Sequence, residues 1–289
     1  MTPKYASCMA TAFRSFTTIT DMHFLLEPFA YDFMLRAFAA GILTAIIAPM
    51  IGIFLVTRRY SFMADTLAHV SLAGIAVGTL TGIHPIFAAL GASAIAALAV
   101  EQLRSAKRVL GESALALFLS GGLALASVLL SLAKGNNVNL GSLLFGSITT
   151  VSVTDVTYVF ALGVVVLVVI LILYRQLFSI SFDEELSLAS GLNVGTINRI
   201  LVLLAAVTVS LTMRIVGVLL VGALMIIPVV AAMQWKLSFL RTLLLAIAIS
   251  LFSVVTGLLL SFYAGTASGG TIVLVAIACF LVGLGFNRR

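Results

Sequence analysis

Ser61-Phe62-Met63-Ala64-Asp65-Thr66-Leu67-Ala68-His69-Val70-Ser71-Leu72 opens an apolar segment, about 61–82, that carries a carboxylate and an imidazole four residues apart. A membrane helix needs about 20 such apolar residues. On an α-helix the i, i+4 spacing puts Asp65 and His69 on one face, one turn apart. Ionisable groups at membrane depth are costly, so they face a bundle interior or a water-filled path. If the helix starts at Ser61, Asp65 lies about 6 Å and His69 about 12 Å along it, well inside a hydrocarbon layer of about 30 Å. Ala64, Ala68, Ser71 and Gly78 form a stripe of small residues that lets other helices approach, so the pair is expected to face protein. Carboxylate oxygen with imidazole nitrogen is a ligand set suited to divalent transition metals. The plainer alternative is that Asp65 caps a helix start and His69 donates to a neighbouring carbonyl. Two ligands do not complete a tetrahedral site; His84, water or a second copy of the chain are the remaining sources.

The rest of the chain fits a membrane setting. Of 289 residues, 62% are hydrophobic and 9% charged, with a mean hydropathy of +1.25. A soluble domain carries about 25% charge. The fold expected is therefore all-α, a polytopic bundle of about nine, alternatively eight, transmembrane helices, with no room for a soluble domain. Net charge is +6, but the basic residues fall between apolar spans and point to topology rather than to nucleic acid. Cys8 and Cys279 sit near opposite ends and form no metal or disulfide cluster.

Residues 1–32 read as an N-terminal extension, partly disordered or interfacial, and 33–289 as the membrane domain. No apolar core of signal-peptide length precedes Phe24, so no cleaved signal is expected. Span 1 is expected at about 35–57 with a kink at Pro49, span 3 at 85–103, span 4 at 112–133 and span 5 at 155–174. A polar stretch, 175–198, follows. Only fourteen uncharged residues separate Arg199 from Arg214, so span 6 begins near 195 and Arg199 snorkels. Span 7 is placed at about 215–235, span 8 at 241–263 and span 9 at 270–286. With span 1 ending in the cytoplasm, the inner loops hold Arg58, Arg59, Arg104, Lys107, Arg108, Arg175, Arg199, Lys236, Arg241, Arg288 and Arg289. The outer loops hold Lys134 and Arg214. The positive-inside rule thus sets the N-terminus outside and the C-terminus in the cytoplasm of a bacterial-type inner membrane.

Within the polar stretch, Ser181 and Glu184 read as an S-x-x-E capping box, and Gly191 stands where a helix stops. Phe182, Leu186 and Ala189 recur at i, i+4, i+7 as a short apolar face. Asp183, Glu184 and Glu185 suit the first turn, but they argue against a helix lying on the negative inner leaflet. A docking surface for a cytoplasmic protein fits better.

These stretches together resemble the permease of the zinc/manganese ABC-importer family. Three segments carry the resemblance: Gly52–Ser61 running into Ala64–His69, Leu144-Phe145-Gly146-Ser147, and Arg214–Pro228. The similarity extends over about 27–285. It implies a homodimer, two cytoplasmic ATP-binding subunits and an extracytoplasmic metal-binding protein. It makes Asp65 and His69 the ligands of a passing metal ion, with no cofactor of the chain's own. Asp-Thr-Leu-Ala-His is closest to the zinc-uptake members, with manganese and iron compatible. Glu185-x5-Gly191 has the spacing of the loop by which such permeases grip their ATPase, so Asp183, Glu184, Glu185 and Gly191 are the ATPase-coupling candidates. Leu186 and Ser187 stand where the family has alanines, and the N-terminal residues are additional. The chain has no G-x-x-x-x-G-K-[ST] loop, so it is expected to be energised by a partner rather than to be an enzyme. A metal-cation channel or secondary transporter working without an ATPase is the alternative; it would need ionisable groups in more than one span. An intramembrane metalloprotease would need H-E-x-x-H, which the sequence lacks.

Overall fold

Apolar runs of this length can satisfy their backbone in lipid only by closing hydrogen bonds within themselves, which makes them helices. The computed structural model covers residues 27–106, 111–132, 144–146, 152–218 and 220–287. After a 3-10 turn at Glu27–Ala30 come α1 (Asp32–Thr57), α2 (Phe62–Thr81), α3 (Pro85–Ser105), α4 (Gly111–Leu132) and α5 (Val153–Phe182). Then follow the short α6 (Glu184–Ala189), α7 (Val194–Val216), α8 (Val221–Met233), α9 (Phe239–Ala264) and α10 (Ser268–Asn287). Residues 1–26 of the expected extension lie outside the described ones. Phe29, within the expected extension, stacks on Phe38 of α1 at 4.9 Å.

Eight of the helices are long and apolar enough to span a bilayer. The segment expected as span 7 is different. Its helix, α8, has 13 residues, about 20 Å, short of a hydrocarbon layer of about 30 Å. Gly217 and Val218 lie outside both helices, because Gly217 at φ +90° takes the chain out of α7. Eight full-length helices and one short, broken passage account for both counts the sequence left open. The polar stretch also begins later than expected. α5 continues through Arg175 to Phe182 and has 30 residues, so polar side chains at the membrane edge do not stop it. α1 likewise runs unbroken through Pro49.

One end of the bundle gathers the basic residues. Arg58 and Arg59 join α1 to α2, Arg104 is in the last turn of α3, Arg199 is near the start of α7, and Lys236 and Arg241 flank the start of α9. The opposite end is marked by ring contacts between Tyr31 and Phe262 (5.7 Å) and between His84 and Tyr158 (5.7 Å). Between the ends, α2 is enclosed by α3, α4, α7 and α8. Its small-residue stripe is buried as expected, with Ala64, Ala68 and Ser71 fully so. Ser210 of α7 hydrogen-bonds Ser71 of α2 (3.3 Å) and Ser93 of α3 (2.9 Å). Buried hydroxyls need such partners, since each unpaired one costs about 1–3 kcal/mol.

Candidate functional site

α2 starts after a tight turn. Arg59 adopts φ 61°, while Arg59 N–H bonds Val56 O (3.1 Å) and Tyr60 N–H bonds Leu55 O (2.8 Å). This is the Schellman pattern, with an arginine where glycine is usual. The turn delivers Asp65 and His69 into the first two turns of α2, both half-buried. Neither ordinary use of the pair is made. Asp65 does not cap α2, whose cap position is Ser61. The Nδ1 atom of His69 is buried without a hydrogen-bond partner among the described residues.

Asp65 lies instead against α8. A methyl group built on Gly222 would fall on the Asp65 carboxylate, 2.6 Å from Cγ and 3.1 Å from Oδ2. Gly222 is in the first turn of α8, which has no side-chain cap and no acidic residue of its own. An anion beside a helix N-terminus is favoured by the peptide dipoles there. The pair thus occupies the junction between α2 and the broken α7–α8 passage. His84, considered as a third ligand, lies beyond the far end of α2, at least 12 residues or about 18 Å away along the axis, and contacts Phe87 and Tyr158. Among the described residues no group of three His, Cys, Asp or Glu side chains comes together.

The three stretches singled out in the sequence converge here. Gly52 of the first packs against the Met225 carbonyl of the third. Gly217 of the third packs against the backbone of Leu144–Gly146, the second. Gly222 of the third touches Asp65 of the first. Each contact is one a Cβ would block, and together they hold α8 between α1 and α2.

At the basic end, α6 projects between α5 and α7. The expected capping box is corrected: Ser181 belongs to α5, and the cap is Asp183, whose carboxylate accepts from Leu186 N–H (2.9 Å). Asp183 takes the role because α5 continues past Ser181. Gly191 closes the helix as expected, at φ +85° with Leu192 N–H bonded to Ser187 O (3.1 Å). The expected apolar face, Phe182, Leu186 and Ala189, points outward, with Phe182 76% and Leu186 68% exposed. Ser187 is the buried residue of α6, hydrogen-bonded to Ser179 (2.9 Å).

The acidic candidates divide. Glu185 is exposed. Glu184 turns toward the bundle, accepting from Asn198 Nδ2 (3.2 Å) and lying 3.9 Å from Arg104. Asn198 also accepts from Arg58 Nη1, and Arg58 Nε donates to Ser181 Oγ (3.2 Å). Arg104 sits 3.4 Å from Glu101 and stacks over the Tyr60 ring at 4.4 Å, and the Tyr60 hydroxyl donates to Glu101 (3.0 Å). Burial holds the Arg58 guanidinium below its ordinary range, while Tyr60, Glu184 and Glu101 pull the other way. Burial and then Glu101 push the Tyr60 hydroxyl up. Apart from Glu184 and Ser181, the sequence alone does not assign these residues to the site. Their one signal is polar side chains inside the ends of apolar spans: Glu101 in α3 and Asn198 in α7.

A profile of the ABC 3 transport family matches residues 30–287. The manganese transport system membrane protein MntC of Halalkalibacterium halodurans is 31% identical over 266 residues, covering 92% of this chain and 91% of that protein. The high-affinity zinc uptake system membrane protein ZnuB of Haemophilus influenzae is 29% identical over 259 residues, covering 90% of this chain and 99% of that protein. Among solved structures, PsaBC from Streptococcus pneumoniae in complex with Fab aligns with 90% of this chain and 94% of its own. Its TM-score is 0.82 at 28% identity. With the helical bundle and the convergent segments, these matches place the chain in the ABC 3 transport family, as a metal ABC transporter permease.

Proposed function

We propose that the chain is the membrane subunit of an ATP-driven importer that carries zinc inward, with Asp65 and His69 as ligands of the ion in transit. The observation carrying this reading is the pair itself: an acid and an imidazole in the bundle interior, spent on no structural hydrogen bond, beside a broken helix. Two ligands per chain suit a homodimer, in which a second copy supplies the matching pair. The choice of zinc rests on the Asp-Thr-Leu-Ala-His segment and on the borderline ligand set. Relatives named for manganese and for zinc match at similar identity, which leaves the ion to experiment.

The basic end faces the cytoplasm under the positive-inside rule, so the N-terminus is outside and the C-terminus inside. There α6 offers Glu185, Leu186 and Leu188, and the end of α5 offers Phe182, outward to one of two ATP-binding subunits. An extracytoplasmic metal-binding protein delivers the ion at the opposite end. The chemistry asked of the permease is ligand exchange: the carboxylate and imidazole replace part of the ion's water shell and release it again.

The test is uptake of radioactive zinc, manganese and iron into proteoliposomes holding the assembled transporter. ATP-dependent zinc uptake that is lost in Asp65→Ala supports the reading. Metal flux that ignores ATP contradicts it, and ATP-dependent uptake of manganese alone replaces the ion.

A further inference from the structure

One half-buried cation takes no part in the ion path described above. Arg58 stands in the turn that launches α2, seven residues before Asp65. Its Nη1 donates to Asn198 and its Nε to Ser181, but its Nη2 is buried and has no hydrogen-bond partner among the described residues. A buried donor left unmade is expensive, more so on a charged group. Asn198 is 3% exposed and uses both ends of its amide, accepting from Arg58 and donating to Glu184. Glu184 is the first residue of α6, and its link to Arg104 is long at 3.9 Å. The α1–α2 turn and α6 are thus joined through one buried amide. The Glu184 carboxylate is weakly held on the arginine it now faces, while a second arginine has an empty donor on the other side of that amide.

We infer that Arg58, Asn198 and Glu184 form the relay through which the position of α6 reaches the metal-bearing helix α2. The unfilled Nη2 of Arg58 is the second seat for the Glu184 carboxylate. When α6 moves toward the bundle, Glu184 leaves Arg104 for Arg58, and the pull on the α1–α2 turn shifts the first turns of α2, where Asp65 and His69 sit. These are positioning residues, acting on the ion through α2 and touching it at no point. The proposal rests on the reading of the chain as an ATP-driven permease.

The experiment measures metal moved per ATP hydrolysed by the assembled transporter in proteoliposomes, using zinc alone as the probe ion. Arg58→Gln, Glu184→Gln, their double variant and Asn198→Ala are compared with the parent. Asn198→Ala keeps every charge, so the relay stays testable even if Arg58→Gln fails to reach the membrane. For Arg58→Gln and Asn198→Ala the expected result is ATP hydrolysis within about twofold of the parent while zinc moved per ATP falls at least about tenfold. The Arg58→Gln/Glu184→Gln double variant is expected to be no worse than the poorer single one, since partners in one link are not additive. An unchanged ratio, a parallel loss of hydrolysis and uptake, or additive losses in the double variant each overturn the relay. If the parent moves no zinc with ATP, it is the functional reading that fails, so the two failures are distinguishable.

Discussion

Replacing Gly222 with alanine is expected to cripple transport while sparing the fold. The new methyl group would occupy the place of the Asp65 carboxylate, within 2.6 Å of its Cγ. Something has to move. The obstacle is the end of a side chain, so the cheapest response is rotation of Asp65 away from α8. An off-rotamer torsion costs about 0.5–1.5 kcal/mol, well under the loss of a helix contact. The ion then loses a properly aimed ligand. Changes that mis-aim a metal ligand typically reduce affinity or activity about 10–100-fold, which is about 1.4–2.7 kcal/mol. Gly52→Ala is the control. There the methyl group meets the backbone carbonyl of Met225, with its carbon 2.9 Å away, and no torsion relieves it. α8 must separate from α1, an overpacking cost of about 1–3 kcal/mol on stability itself. The assay is zinc uptake beside thermal unfolding of the detergent-solubilised dimer. Gly222→Ala should keep its melting temperature and lose uptake, and Gly52→Ala should melt earlier. Parent-level uptake by Gly222→Ala would refute the placement of Asp65 at the ion path.

Four further outcomes are expected. Asp65→Ala and His69→Ala should each abolish uptake with dimer assembly intact, as read by size-exclusion chromatography. Because imidazole binds metal only when neutral, uptake should fall on acidification, measured as initial rates across a pH series. Ser187→Leu should drive α6 off its seat, since Ser187 is 2% exposed and packed under the helix; recovery of the complex with the ATP-binding subunit reads this out. Gly191→Ala should destabilise the α6–α7 turn by about 1–2 kcal/mol, because its φ of +85° is costly for any residue with a Cβ; limited proteolysis at 189–193 is the measure.

The long uncharged runs made the spans legible, and an ionisable pair one helical turn apart stood out against them. Asp65 and His69 became candidates for the same reason: nothing local explains them. The capping of α6 was half legible. Ser181 and Asp183 are both competent N-caps, and the choice between them was settled by α5, which runs on to Phe182 through Arg175 because long polar side chains snorkel. The shortness of α8 was hidden because Gly217–Leu220 is as apolar as the helix it interrupts. The relay was invisible for another reason. Its hydrogen bonds join Arg58 to Asn198 across 140 positions and Asn198 to Glu184 across 14, and pairings at such separation leave no local periodicity to read.

Asp65 and His69 are proposed to hold the ion in transit. X-ray absorption at the zinc edge, on the dimer loaded with zinc in the absence of ATP, tests it without relying on transport. The account predicts nitrogen and oxygen neighbours at about 2.0–2.1 Å with the outer-shell scattering of imidazole, and loss of the imidazole signal in His69→Ala. Bound zinc with an unaltered spectrum in that variant would contradict it.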